Sequence, residues 1–275
     1  MKIMTLKEIQ KINLEMMKDI HDFCKSNGIN YSLAYGSLIG AIRHRGFIPW
    51  DDDIDIWMPR PDFERFSAEY MSKKGYILSS VYDNDTYINF TRVYDNRTIV
   101  LGPAKASSHK IGVWIDIYPI DGISDNEKES IEQFQNLRQY TVLVMNWRKY
   151  LSRKEKTGIK NRIKVIIEFV LLKLVNRGNF QLWHQKICDI CKEHQFGKTK
   201  RCSSLVCVEA NKKNKQEIFE TIDFLSYKSV PFEDQEFCIS SRYDNILKKI
   251  YGNYMEIPPK EKQVSHIKYQ KFYWK

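Results

Sequence analysis

Apolar residues follow two different spacings along the chain. Leu6, Ile9, Ile12, Met16, Ile20 and Phe23 recur at helical intervals, which predicts an amphipathic helix over 6–25, closed by Asn27-Gly28. Tyr31 to Tyr35 then reads as a short strand, Gly36-Ser37 as a turn and Leu38 to His44 as a short helix. Gly46 and Pro49 mark a loop. Asp53 to Met58 alternates strictly, the pattern of a strand, and Pro59 and Pro61 stop it before a helix over Asp62 to Met71. Tyr87 to Tyr94 and Val113 to Tyr118 are further strands, rich in β-branched and aromatic residues. Beyond them the spacing turns helical, over 127–150, 158–176, 180–194 and Tyr243 to Tyr251. No internal repeat is visible. The pattern predicts an α+β chain: a small mixed sheet with flanking helices in 1–125, and a mainly helical 126–275 packed on it without a flexible linker.

Composition narrows this. A chain of 275 residues buries a substantial core without staples, and 43% hydrophobic with 28% charged residues is ordinary for a globular protein, which excludes a disordered or fibrous class. No run approaches the roughly 20 apolar residues that span a bilayer. The first residues lack the apolar core and cleavage site of a signal peptide, and six cysteines do not look like a secreted disulfide framework. A soluble, cytoplasmic protein is expected. The net charge of +10 is uneven: residues 1–137 hold 16 Lys and Arg against 20 Asp and Glu, and residues 138–275 hold 28 against 14. A basic half of this kind faces something anionic, such as nucleic acid, membrane lipid or a phosphorylated substrate.

The acidic half contains the more informative segment. Trp50-Asp51-Asp52-Asp53-Ile54-Asp55-Ile56 puts four aspartates in five positions, although strands are depleted in Asp. Conflicts between local preference and pattern gather at functional sites. Side chains alternate along a strand, so Asp53, Asp55 and Trp57 share one face and Ile54, Ile56 and Met58 the other. The two carboxylates stand roughly 7 Å apart along the backbone and repel unless a cation or proton lies between them. Magnesium suits them, since it takes one or two carboxylates together with substrate phosphates. In Val113 to Tyr118, Trp114, Asp116 and Tyr118 share a face. If this strand neighbours 53–58, Asp116 completes a three-carboxylate cluster able to hold two metals, or one metal and a general base. Gly36-Ser37 offers backbone N–H groups to a phosphate at a strand-to-helix turn, 16 residues before Asp53.

Together these residues resemble a known pattern. Gly-Ser, an Asp-x-Asp strand and a later third Asp are similar to the nucleotidyltransferase superfamily with its polymerase-β-like fold. More closely, Tyr35 to His44, Gly46 to Asp55, Trp114 to Gly122 and Tyr251 to Lys262 resemble the LicD family, at both ends of the chain. Residues 125–240 carry little of the resemblance. LicD-like proteins, related to fukutin and fukutin-related protein, move a phospho-alcohol from a cytidine-diphosphate alcohol to a sugar hydroxyl and release CMP. The resemblance implies Asp53 and Asp55 as metal ligands and catalytic residues, Asp51 as their close supporter and Asp116 as the third carboxylate, with Mg2+ or Mn2+ as cofactor. The expected partners are a CDP-alcohol, CDP-choline favoured, and a glycan acceptor of the cell surface or its polyprenyl-linked precursor. Gly36, Ser37, Arg43, His44 and Arg92 are candidate phosphate partners. Choline needs aromatic walls, for which Trp50, Trp57, Trp114 and Tyr118 are placed beside the acids. Two other readings stay open: nucleotidyl transfer to a small molecule, protein or RNA, and a basic nucleic-acid-binding protein. The second is not expected, since the basic half shows no known nucleic-acid motif.

Two further features stand apart. Residues 148–164 carry eight Lys and Arg and one Glu, and run into an apolar stretch to Val175. This is either a buried helix with a basic flank or a helix lying on an anionic membrane, which would place the protein on the inner face of the cytoplasmic membrane. Cys188 and Cys191, with His184, His194, Cys202 and Cys207, have spacing compatible with zinc, but Leu182, Trp183, Ile187 and Ile190 make the segment an amphipathic helix in which cysteine is a common core residue.

Overall fold

The computed structural model describes residues 1–83, 88–101, 111–154, 180–208, 217–265 and 271–275, and the single positions Ile163, Ile166, Ile167 and Val170. Helix α1 (Leu6–Asn27) starts at a capping box: the Glu8 N–H donates to Thr5 Oγ1, and the Thr5 N–H to the Glu8 carboxylate at 2.8 Å. Gly28, at φ +60°, ends it in the left-handed conformation that glycine adopts without penalty. Its face of Ile9, Ile12, Met16, Met17 and Ile20 is buried to 4% exposure or less. Each such side chain contributes roughly 1.5–3 kcal/mol on burial, which holds α1 against the sheet.

The chain then forms β1 (Ser32–Leu33), α2 (Tyr35–Ile39) with a π-turn over Gly40–His44, β2 (Ile54–Pro59) and α3 (Arg60–Glu69). Next come β3 (Ile77–Ser79), β4 (Thr91–Tyr94), β5 (Thr98–Leu101) and the long β6 (Trp114–Ile123). The main sheet runs β1-β2-β6-β4-β3. Only β2 and β6 are parallel in it, and the other pairs are antiparallel. Ile54, Ile56, Ile115 and Ile117 fill the core face of the central pair with no exposure.

After β6 come α4 (Glu127–Lys154) and α5 (Phe180–Cys191), which share a second apolar cluster built on Leu137, Val144, Phe180, Trp183 and Ile187. The expected helix over 158–176 lies outside the described residues, except that Ile163, Ile166, Ile167 and Val170 are helical. Beside its helices the second half also holds strands that the spacing did not predict. It contains β7 (Arg201–Ser203), a short α6 (Leu205–Val208), β8 (Ile218–Glu220), the hairpin β9 (Tyr227–Phe232) and β10 (Gln235–Ser240), then α7 (Tyr243–Tyr251) and β11 (Lys271–Trp274). β7 pairs with β6, and β11 with β5, so strands from both sides of residue 125 join the same sheets. These strands were hidden because β7, β8 and β11 are short and the hairpin turns through Glu233-Asp234 rather than a glycine, with Glu233 itself at φ +55°.

Candidate active site

The strand alternation assembles a polar, partly open face. Register sets Asp55 of β2 beside Asp116 of β6, and Asp116 beside Arg92 of β4. Along β4, Thr91 and Val93 are buried while Arg92 and Tyr94 are partly open; along β6, Trp114 and Tyr118 are partly open; on β2, Asp55 is partly open between buried Ile54 and Ile56. One face of the three strands is therefore core, and the other carries a row of carboxylate, carboxylate and guanidinium.

Asp116 is held from three sides. Arg92 Nε donates to its Oδ1 at 2.6 Å and Arg92 Nη2 to its Oδ2 at 3.0 Å, a bidentate pair with each side chain 12% exposed. Trp114 Nε1 and the Tyr118 hydroxyl donate to Oδ2 at 3.1 and 3.4 Å. The Arg92 guanidinium lies 4.5 Å from the Trp114 ring centre and 5.7 Å from that of Phe90. The expected convergence of Asp53, Asp55 and Asp116 into one three-carboxylate cluster is not formed: among the described residues no three His, Cys, Asp or Glu side chains gather as they would around a metal. Both oxygens of Asp116 accept from Arg92, its register partner on β4.

Gly36 and Ser37, expected in a turn, lie inside α2 and hold the acidic strand. The Asp55 N–H donates to Ser37 Oγ at 2.9 Å, and the Ala34 N–H donates to the Asp55 carbonyl at 2.8 Å. A Cβ on Gly36 would lie 2.6 Å from Asp51 Oδ2, so only glycine lets that carboxylate lie against α2. From the other side α1 fixes the loop: Gln10 Nε2 donates to the Asp51 carbonyl at 2.7 Å and Asn13 Nδ2 to the Asp52 carbonyl at 2.8 Å. The buried Asp52 carboxylate accepts from Ser265 Oγ at 3.0 Å, whereas Asp51, Asp53 and Asp55 are partly open.

The remaining candidates divide. Arg43 sends Nη1 to the carbonyls of Tyr254 and Glu256 at 2.6 and 3.0 Å, and Nε to His44 Nε2 at 2.9 Å, so it anchors the segment after α7. Burial and then the Arg43 charge hold His44 below the usual histidine range, in its neutral accepting form. Trp50 is partly open and meets His44 edge-on, with ring centres 6.4 Å apart. Trp57 is fully buried among Tyr35, Phe219 and Phe224, which makes it a core side chain with no ring face left for a ligand. Cys188 and Cys191 are buried in α5, and burial pushes the Cys188 thiol up to about 11.

Sequence reasoning missed the wall supplied by the second half. The Tyr35 hydroxyl, whose ring also packs on Tyr118, donates to Glu217 Oε2 at 3.4 Å. Burial raises the Glu217 carboxyl above its usual range, while the Tyr35 hydroxyl opposes the rise. Tyr251, although 43% exposed, has its phenol pushed up, first by desolvation and then by Asp55, Glu217, Asp51 and Asp53. Nothing in the lysine-rich stretch before Glu217 marked it. For Asn13 a signal existed: a polar residue on the apolar face of α1.

Known proteins share this arrangement of sequence. Residues 28–156, which hold Gly36 and Ser37, the acidic strand, Arg92 and Asp116, match the family described as LicD/FKTN/FKRP, nucleotidyltransferase domain. The lipopolysaccharide cholinephosphotransferase LicD of Haemophilus influenzae is 29% identical over 97% of each chain. An uncharacterised protein of Rickettsia typhi is 28% identical over 44% of this chain and 38% of its own. One from Rickettsia prowazekii is 46% identical over 18% of each. The matched LicD domain thus holds the acidic strand, and the similarity to a LicD protein runs along nearly the whole length of the chain.

Proposed function

We propose that the chain transfers phosphocholine from CDP-choline to a sugar hydroxyl of a lipopolysaccharide-type glycan or its lipid-linked precursor, releasing CMP. The observation that carries this is the row Asp55–Asp116–Arg92 across β2, β6 and β4, joined to full-length similarity to a lipopolysaccharide cholinephosphotransferase. The acceptor oxygen forms a bond to the choline-bearing phosphorus, the bond from that phosphorus to the bridging oxygen breaks, CMP leaves, and the hydroxyl proton passes to a base. Arg92, already oriented by Asp116 and stacked on Trp114, supplies fixed positive charge toward the phosphates. Asp116 acts through Arg92 as a positioning residue. Trp114 and Trp50 offer aromatic surface suited to a quaternary ammonium.

A divalent metal fits part of the donor set. Asp53 and Asp55, with Asp51 against Gly36, are hard oxygen donors on a partly open face, suited to Mg2+ or Mn2+ completed by substrate phosphates. Asp116, with both oxygens engaged by Arg92, does not fit as a third ligand. Bound there, the metal would neutralise charge on the diphosphate and the leaving CMP. The work of this chain is to hold Asp55 through Ser37 and Ala34, and Arg92 through Asp116. The protein is expected to act in the cytoplasm, peripherally on an anionic membrane that carries the acceptor precursor.

The test incubates the purified chain with CDP-choline and Mg2+, with EDTA as control, and follows nucleotides by chromatography. Metal-dependent CMP release, slow to water and faster with glycan, is expected. Pyrophosphate release from an NTP with no CMP from any CDP-alcohol would overturn the proposal in favour of nucleotidyl transfer.

A further inference from the structure

Ile163, Ile166, Ile167 and Val170 stand at i, i+3, i+4 and i+7, the spacing of a single helix face, and all four are helical. A face of this kind is ordinarily turned to the core. Here the four are 54%, 62%, 53% and 45% exposed. On α4, Ile131, Val142 and Met145 also fall on one helical face and are also exposed. The 163–170 face follows directly on the most basic part of the sequence. Residues 148–164 hold Arg148, Lys149, Arg153, Lys154, Lys156, Lys160, Arg162 and Lys164 against Glu155 alone. Among the described residues no helix is long and apolar enough to cross a membrane.

We infer that the 163–170 face, with its basic flank, docks on an anionic lipid surface and lies in the plane of the interface. Three arguments select this occupant. Apolar groups at helical spacing bordered by Lys and Arg match the two layers of a bilayer surface, acyl chains beneath and anionic headgroups above. Each basic residue near such a surface adds attraction that salt screens. A second copy of the chain is a poor occupant, because two such faces brought together would also bring their like-charged flanks together. Nucleic acid would match the charge but leave the isoleucines in water. For its purpose, delivery of the site to a lipid-borne acceptor, the inference rests on the transfer proposed above. The binding is measured without donor or acceptor, so each can fail without the other.

The experiment is co-sedimentation of the full chain with vesicles of pure phosphatidylcholine and with vesicles containing phosphatidylglycerol. It compares wild type, Ile163→Asp/Ile167→Asp, and Lys160→Gln/Arg162→Gln/Lys164→Gln. Binding to the anionic vesicles at least tenfold tighter than to the neutral ones is expected, weakened by raised salt. The aspartate pair is expected to abolish it and the glutamine triple to weaken it severalfold, with circular dichroism and CMP release in solution unchanged. Equal binding of wild type and aspartate pair, absence of binding to anionic vesicles, or a stable dimer in solution that the aspartate pair disperses would each overturn the inference.

Discussion

Replacing Asp116 by Asn in metal-free buffer separates two physical pictures of the site by the sign of the stability change. If Asp116 belonged to a group of mutually repelling carboxylates awaiting a cation, neutralising it would stabilise the protein. The structure instead gives Asp116 a bidentate partner, with contacts of 2.6 and 3.0 Å and both side chains 12% exposed. Removing one member of a buried ion pair costs roughly 3–5 kcal/mol, because the remaining charge is left without compensation. Asparagine keeps the shape and one acceptor oxygen, so the lower end, about 3 kcal/mol, is expected here. At roughly 2–4 °C per kcal/mol for a chain of this size, the melting temperature should fall by about 6–12 °C. Urea unfolding in EDTA of wild type, Asp116→Asn, Arg92→Gln and the double variant closes a cycle, and a coupling of about 2 kcal/mol or more is expected. An Asp116→Asn variant as stable as wild type or more so, with coupling below about 0.5 kcal/mol, would refute the pairing and return Asp116 to the set of metal ligands.

Other outcomes follow from the same geometry. Gly36→Ala places a methyl group 2.6 Å from Asp51 Oδ2. A displacement of about 1 Å there should lower CMP release on the order of 100-fold with only a small change in melting temperature. Glu233→Ala removes the carboxylate that accepts from the Phe47 N–H at 3.0 Å, and so loosens the loop leading to the acidic strand. It should cost about 1 kcal/mol and raise the apparent KM for the donor more than it lowers kcat. Burial holds His21 and His184 below the ordinary histidine value, as it does His44. Their unfolded forms bind protons first, so stability should fall as pH drops through about 6.5 toward the folded values. A melting temperature that rises from pH 5 to 7, with a shallower rise in His184→Gln, is the expected result.

The acidic strand and its neighbour were legible because a strand has only two faces. Once Asp55 and Asp116 shared outward faces with their neighbours, pairing of the two strands was enough to set them side by side. What alternation could not show was the occupant of the next strand. Arg92 looked like a free phosphate partner, and register turned it into the holder of Asp116. Trp57 lies on the outward face by alternation, yet Phe219 and Phe224, from segments about 160 residues downstream, roof it over. Arg43 carried the right chemistry but faces the carbonyls of Tyr254 and Glu256, contacts that no local spacing encodes. Of the strands after residue 200, β7 and β11 escaped because they are short and draw their stability from pairing with β6 and β5, not from their own pattern.

The most direct measurement mixes the purified chain, CDP-choline and Mg2+ with a lipopolysaccharide lacking phosphocholine, and weighs the glycan by mass spectrometry while counting CMP. One phosphocholine added per CMP released by the wild type, with both products lost in Asp55→Asn, is the expected result. CMP without modified glycan at any acceptor concentration, or glycan modification that survives Asp55→Asn undiminished, would contradict a phosphocholine transferase working at the Asp55–Asp116–Arg92 row.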